Sequence, residues 1–261
     1  MDDNTYIEIR NSWILFAIRD ILEKTDIRNI ILQKEFDNKD IYFGDSFVGE
    51  YDYKILNKYI DYCVKKIDKN LILFTISNSI AQCTNFEDCE THFQTVIIDK
   101  INKTIIFIDP SRKQKGSGIY KTTASNMIIK YMKDMYSSYK IKWNPVKIPC
   151  QTNYKDVFCQ SWSLYLQKIF VEQILSSDFN YTSLQAPNIP SKLSERYNVL
   201  LQFYKDIFKK NQILCKYLKD AYISDIDNFA TDLSVEIKKK LLKENPCTYF
   251  PFDFKVNDMM E

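Results

Sequence analysis

One histidine and four glycines stand in a chain of 261 residues, and neither sign of charge dominates, with 36 basic against 34 acidic side chains. So even a balance implies no nucleic-acid partner and no anionic membrane surface. The lysine clusters at Lys209-Lys210 and Lys238-Lys239-Lys240 fall in helical patterns and read as solvated helix faces. No apolar run approaches the ~18 residues that a membrane-spanning helix needs. The acidic start, Met1-Asp2-Asp3-Asn4, lacks a basic segment followed by an apolar core, so no signal peptide is expected. Seven cysteines, an odd number at irregular spacing, suggest thiols kept free in a reducing, cytoplasmic compartment. Scarce glycine beside abundant Ile, Lys and Asn suggests an AT-rich coding genome, which is a hint about source and not about function.

What is present is the composition of a globular protein, 45% hydrophobic and 15% aromatic. The length allows one good core with room for an extension. Helical periodicity covers 11–24, 52–66, 123–138 and 158–175, and amphipathic helices are expected over 191–221 and 228–243. Extended segments are expected at 70–77 and 140–148. The loop 112–118 is basic and contains Gly-Ser-Gly, but no Walker-type lysine-serine spacing follows it. There are no internal repeats and no low-complexity segments. The expected division is 1–185, with a core at about 70–175, followed by a helical extension over 186–261.

His92 opens the run His92-Phe-Gln-Thr-Val-Ile-Ile-Asp99, and Thr104-Ile-Ile-Phe-Ile-Asp109 follows a short polar turn. Two β-branched runs around such a turn read as a β-hairpin. With Ile98 facing Thr104, Asp109 lies opposite Phe93 and beside His92, within side-chain reach. Asp99 is seven residues along the strand from His92, about 23 Å away. The hairpin therefore selects Asp109 as the carboxylate that orients the imidazole.

Cys159 differs from the other cysteines in its place. It follows Gln151-Thr-Asn-Tyr-Lys-Asp156-Val-Phe and opens an apolar helix. With Asp156 as N-cap, Cys159 sits near the third helical position. A helix N-terminus favours a thiolate, and an imidazolium favours it further. Backbone amides there, with Gln151 as a side-chain donor upstream, suit a developing oxyanion.

These segments resemble the ubiquitin-like-protein proteases, a family that includes SUMO-deconjugating enzymes and the maturation proteases of adenovirus and other large DNA viruses. The resemblance lies in the chain order His92, Asp109, Gln151, Cys159, with 17 and 50 residues separating the first pair and the Asp–Cys pair. It covers about residues 70–175. It implies an α+β fold, a mostly antiparallel sheet packed on a central helix with the nucleophile at its N-terminus and flanking helices at both ends. By the same resemblance Cys159 is the nucleophile, His92 the general base, Asp109 its orienter and Gln151 the oxyanion donor. Cleavage after small residues of the Gly-Gly type follows, with no metal or organic cofactor. The chain departs from the family at Phe93, where Trp is usual, and at Gln160, where Gly is usual. A longer gap from Gln151 to Cys159 leaves Asn153, Asp156 and Gln160 as other contributors.

The composition leans toward a virus-type protease that processes a polyprotein and is packaged in virions, with a deconjugase acting on ubiquitin-like modifiers as the alternative. Other readings are an acetyltransferase of the same clan, an inactive binding relative, and a zinc module built on Cys83, Cys89, His92 and Cys150. The five-residue gap between Cys83 and Cys89 fits structural zinc poorly.

Overall fold

β-Branched and aromatic runs become strands, and the periodic segments become helices, in the computed structural model. It describes residues 3–24, 32–33, 35–36, 39–44, 47–48, 53–79, 91–110, 123–143, 150, 158–176, 184–209 and 212–247. The helices are α1 (Asp3–Lys24), α2 (Tyr53–Lys65), α3 (Thr123–Met135), α4 (Cys159–Ile174), α5 (Leu193–Lys209), α6 (Gln212–Phe229) and α7 (Val235–Leu241). The strands are β1 (Ile41–Phe43), β2 (Phe47–Val48), β3 (Leu71–Ser79), β4 (Thr91–Asp99), β5 (Thr104–Ile108) and β6 (Lys140–Trp143). They fall into two units, Asn29–Pro187 and a second made of Met1–Arg28 with Asn188–Glu261.

The first unit is α+β. Its six-stranded sheet runs β1-β3-β4-β5-β6, with β2 also paired to β3. The long central pairings β3/β4 and β4/β5 are antiparallel. The sheet as a whole is mixed, because β1, β2 and β6 add in parallel. Strands of two to four residues carry too little pattern to announce their direction. One face bears Ile72, Phe74, Ile76, Val96, Ile98, Ile105 and Phe107, closed by Leu56, Ile60 and Cys63 of α2 and Ile128 and Met132 of α3. Each such side chain contributes roughly 1.5–3 kcal/mol on burial. Helix α4 packs along β4. Gly44 has a local reason in this glycine-poor chain, since a Cβ there would lie 1.8 Å from the Tyr59 hydroxyl oxygen.

The hairpin register differs by one residue from the sequence expectation: Asp99 pairs with Thr104, and Ile98 with Ile105. The turn explains the shift. The Asp99 carboxylate accepts from the Asn102 backbone N–H at 2.9 Å and from its side-chain amide at 2.8 Å. Lys103 takes the left-handed conformation, φ 45°, which closes the turn before Thr104. A slip of one residue turns every side chain to the other face. Continued by one position, this register sets Asp109 across from Gln94, on the face that His92 shares.

In the second unit α1 packs along α6, whose buried Leu214, Leu218, Tyr222 and Ile226 recur at every fourth residue. The sequence boundary at 185 leaves α1 with the sheet, whereas here it is grouped with the C-terminal helices. The helix expected over 191–221 ends at Lys209, and α6 runs on through Phe229. Glu244 accepts from the Tyr6 hydroxyl at 2.9 Å and lies 3.8 Å from the Arg10 guanidinium. The Lys240 ammonium stands 3.7 Å over the Tyr6 ring.

Cys215 and Cys247 form a disulfide with Cα atoms 5.7 Å apart, in contrast to the free thiols expected from composition. The irregular cysteine spacing hid the pair because α6 and the segment after α7 meet only in the fold. Closing a loop of 32 residues is worth about 2–4 kcal/mol. Cys215→Ser should therefore lower Tm in non-reducing buffer, and dithiothreitol should lower the wild type to the same value. Among the described residues, no helix is long and apolar enough to cross a membrane.

Candidate active site

Alternation along β4 sends His92 and Gln94 to one face and Thr95 to the other. His92 is 2% exposed and Asp109 1%, so neither meets bulk water. The imidazole Nε2 lies 2.8 Å from Asp109 Oδ1. The second carboxylate oxygen is held too, because the Gln94 side-chain amide donates to Oδ2 at 2.7 Å. Both oxygens are thereby directed, which fixes the plane of the carboxylate against the ring.

Cys159 is the first residue of α4 and is buried. The sequence reading placed Asp156 at the N-cap and Cys159 near the third position. In the structure Phe158 occupies the cap, with no side chain capping the helix, and Asp156 lies outside the described residues. The Trp162 N–H donates to Phe158 O at 2.9 Å, so α4 begins its ladder at once. The thiol therefore sits at the positive end of the helix dipole.

His92 is engaged by Cys159 as well as by Asp109. Burial alone pulls the imidazole pKa down. The hydrogen bonds from Asp109 and Cys159 and the charges of both partners outweigh it, and the value is pushed up to about 10. At neutral pH the ring is thus a cation, set between Asp109 and the Cys159 sulfur. A buried imidazolium of this kind is compensated by its ion pair with Asp109. The arrangement can activate a sulfur nucleophile and later return a proton to a leaving group.

No protein-family model matches the chain, and no curated protein does. Among solved structures it is similar to the Chlamydia trachomatis effector ChlaDUB1 at 11% identity, covering 80% of this chain and 93% of that one, with a TM-score of 0.48. The Chlamydia abortus effector ChlaDUB overlaps at 12% identity over 70% of this chain and 89% of that one, with a TM-score of 0.43. For the Legionella pneumophila effector RavZ the values are 14%, 77%, 70% and 0.28. Likenesses of this extent leave the functional reading to the chain's own residues.

Of the residues singled out in the sequence, the structure brings together His92, Asp109 and Cys159. Gln151 and Asn153 lie outside the described residues, as do Cys83, Cys89 and the basic loop 112–118. Gln160 is buried on the first turn of α4, next to the thiol. Sequence reasoning missed Gln94. Its signal was available, since a glutamine two residues after His92 shares its strand face.

Proposed function

We propose that this protein is a cysteine peptidase that hydrolyses peptide or isopeptide bonds after small residues. The observation that carries the reading is the buried imidazole of His92, held between Asp109 and the Cys159 thiol at the start of α4. In the proposed reaction the Cys159 thiolate attacks the carbonyl carbon, and the C–N bond breaks as the His92 imidazolium gives its proton to the leaving amine. His92, now neutral, takes a proton from water, which attacks the thioester and releases the acid and the thiolate. The Cys159 amide, with Gln151 as side-chain donor, is proposed to hold the oxyanion in each half.

For the substrate we place a ubiquitin-like modifier ahead of a viral polyprotein. The polyprotein reading rests on composition and compact length, which say nothing about the site, whereas a modifier ending in Gly-Gly offers the small-residue cleavage point that the resemblance implies. The test is intact-mass labelling with an electrophilic Gly-Gly peptide, then with ubiquitin and ubiquitin-like proteins bearing the same electrophile. One adduct on Cys159, formed faster with a modifier than with the peptide, is the expected result. Equal labelling of several cysteines would overturn the peptidase reading. Faster labelling by the peptide would return the polyprotein substrate to first place.

Two further results are expected. Asp109→Ala should lower kcat/KM by roughly 10²-fold, at the small end of the range for proton-transfer groups, because an orienting group acts only through the imidazole. Loss as large as that from removing His92 would give Asp109 a more direct part. The pH profile follows from the raised His92 value. The imidazolium must persist to protonate the amine, so kcat/KM should hold through neutrality and fall as pH rises through about 10. An alkaline limb near the ordinary 6.5 would contradict this. The sign for stability is the same: the contribution of His92 is complete below 6.5 and is lost as pH rises toward about 10.

A further inference from the structure

Helix α4 carries a polar stripe where an apolar one would be expected. Cys159, Ser163 and Gln167 recur at every fourth residue, so they share one face of the helix. Ser163 is 1% exposed, Gln167 3%, Thr75 4% and Thr95 0%, so all four polar partners are in the core. The Ser163 hydroxyl donates to the Phe93 carbonyl at 3.2 Å. The Thr95 hydroxyl donates to the Ser163 carbonyl at 3.4 Å. Below them the Gln167 side-chain amide donates to both threonine hydroxyls, at 3.1 Å to Thr75 and 3.0 Å to Thr95.

Stability does not account for this seam. Replacing both partners of a buried hydrogen bond by apolar groups of the same shape is close to neutral. What apolar packing lacks is direction, because it is roughly proportional to area and tolerates sliding. The seam supplies direction where it matters to the thiol. Ser163 is one helical turn, about 6 Å, below Cys159, and Gln167 about 12 Å below it. Phe93 is the residue next to His92. The Ser163–Phe93 bond therefore ties the helix that carries the nucleophile to the strand that carries the base, one residue from that base. A displacement of about 1 Å between reacting groups can cost 10²-fold in rate.

We infer that Ser163, Gln167, Thr75 and Thr95 are positioning residues, a buried hydrogen-bonded seam that sets the register of α4 on β3 and β4 and so holds Cys159 against His92. The inference rests on the peptidase reading above. None of the four touches the reacting atoms.

The chain offers its own reporter. With one histidine, a proton NMR titration gives a single imidazole signal, and its course reads the surroundings of His92 without any substrate. The experiment follows that titration and the iodoacetamide alkylation rate of Cys159, mapped by peptide. The proteins are wild type, Ser163→Ala, Thr95→Val, Thr95→Ser and the apolar triple variant Thr75→Val/Thr95→Val/Gln167→Met. The triple variant should melt within a few degrees of wild type, yet alkylate at least about 10-fold more slowly at neutral pH. Its His92 should titrate below the wild-type value of about 10. Thr95→Ser keeps the hydroxyl and should behave as wild type, while Thr95→Val should not.

Folded variants with unchanged alkylation and titration would overturn the inference. If the triple variant does not fold, Ser163→Ala and Thr95→Val decide by the same readouts. Loss of the fold in Ser163→Ala as well would also overturn it, since the seam would then hold the core rather than place the thiol. Failure of the peptidase reading has a different signature. His92 would titrate near 6.5 and Cys159 would react no faster than Cys63 or Cys150, already in wild type.

Discussion

Exchanging Cys159 for alanine, or His92 for glutamine, is expected to lower hydrolysis by at least about 10⁴-fold, each alone costing nearly as much as both together. Groups that act as one unit are not additive: without the base the sulfur is a poor nucleophile, and without the sulfur the base has nothing to activate. The two variants should nevertheless differ in stability. Cys159→Ala removes one buried sulfur and leaves His92 with Asp109 as its partner. His92→Gln leaves the buried Asp109 carboxylate without its cation, held through Oδ2 by the Gln94 amide. Breaking the buried His92–Asp109 pair leaves an uncompensated charge, whereas Cys159→Ala keeps that pair. His92→Gln should therefore lower Tm more than Cys159→Ala does, and double-variant kinetics with thermal melts checks both parts. Full activity in Cys159→Ala would end the peptidase assignment.

The second large effect is expected in the core. Phe74 is 1% exposed at the centre of β3 and meets the Tyr59 ring edge-on, with centroids 5.4 Å apart. It belongs to the cluster that joins α2 and α3 to the sheet face bearing His92 and Gln94. Phe74→Ala should cost about 3–5 kcal/mol, the lost burial plus the cavity left behind. Against a total stability of about 5–15 kcal/mol, that is a large share. Urea denaturation should show a lowered midpoint with little change in slope. Phe74→Leu should recover most of the loss, since it returns most of the volume.

Much of the site was legible because its residue types are rare. A single histidine opening a hairpin, a carboxylate at the far end of that hairpin and a cysteine opening an apolar helix leave few other ways to assemble the three. The expected register is one residue out, because nothing in the hydrophobic pattern shows Asp99 capturing Asn102 or Lys103 turning left-handed. Asp109 is the neighbour of His92 in the structure, although the expected register puts it on the opposite face. Gln94 is legible only through its spacing, two residues after His92 on the same strand face. The α4 stripe is hidden because the segment is apolar on most faces, among which Ser163 and Gln167 give no separate signal. Strands β1 and β2 are too short for alternation to declare them. The grouping of α1 was out of reach for a different reason, since amphipathicity says that a helix has a partner but not which one.

That grouping bears on how the chain acquires its structure. The unit Asn29–Pro187 is one continuous stretch, whereas the helical unit is assembled from both sides of it. During synthesis the sheet and α4 can close while the chain is still growing. Helix α1, made before the sheet, has no α6 to lie along until some two hundred residues later. Its buried face, with Ile14, Leu15, Ile18 and Leu22, stays exposed for that interval. At the usual ~5–20 residues per second the wait is tens of seconds, during which this apolar stripe is surface that a chaperone can cover.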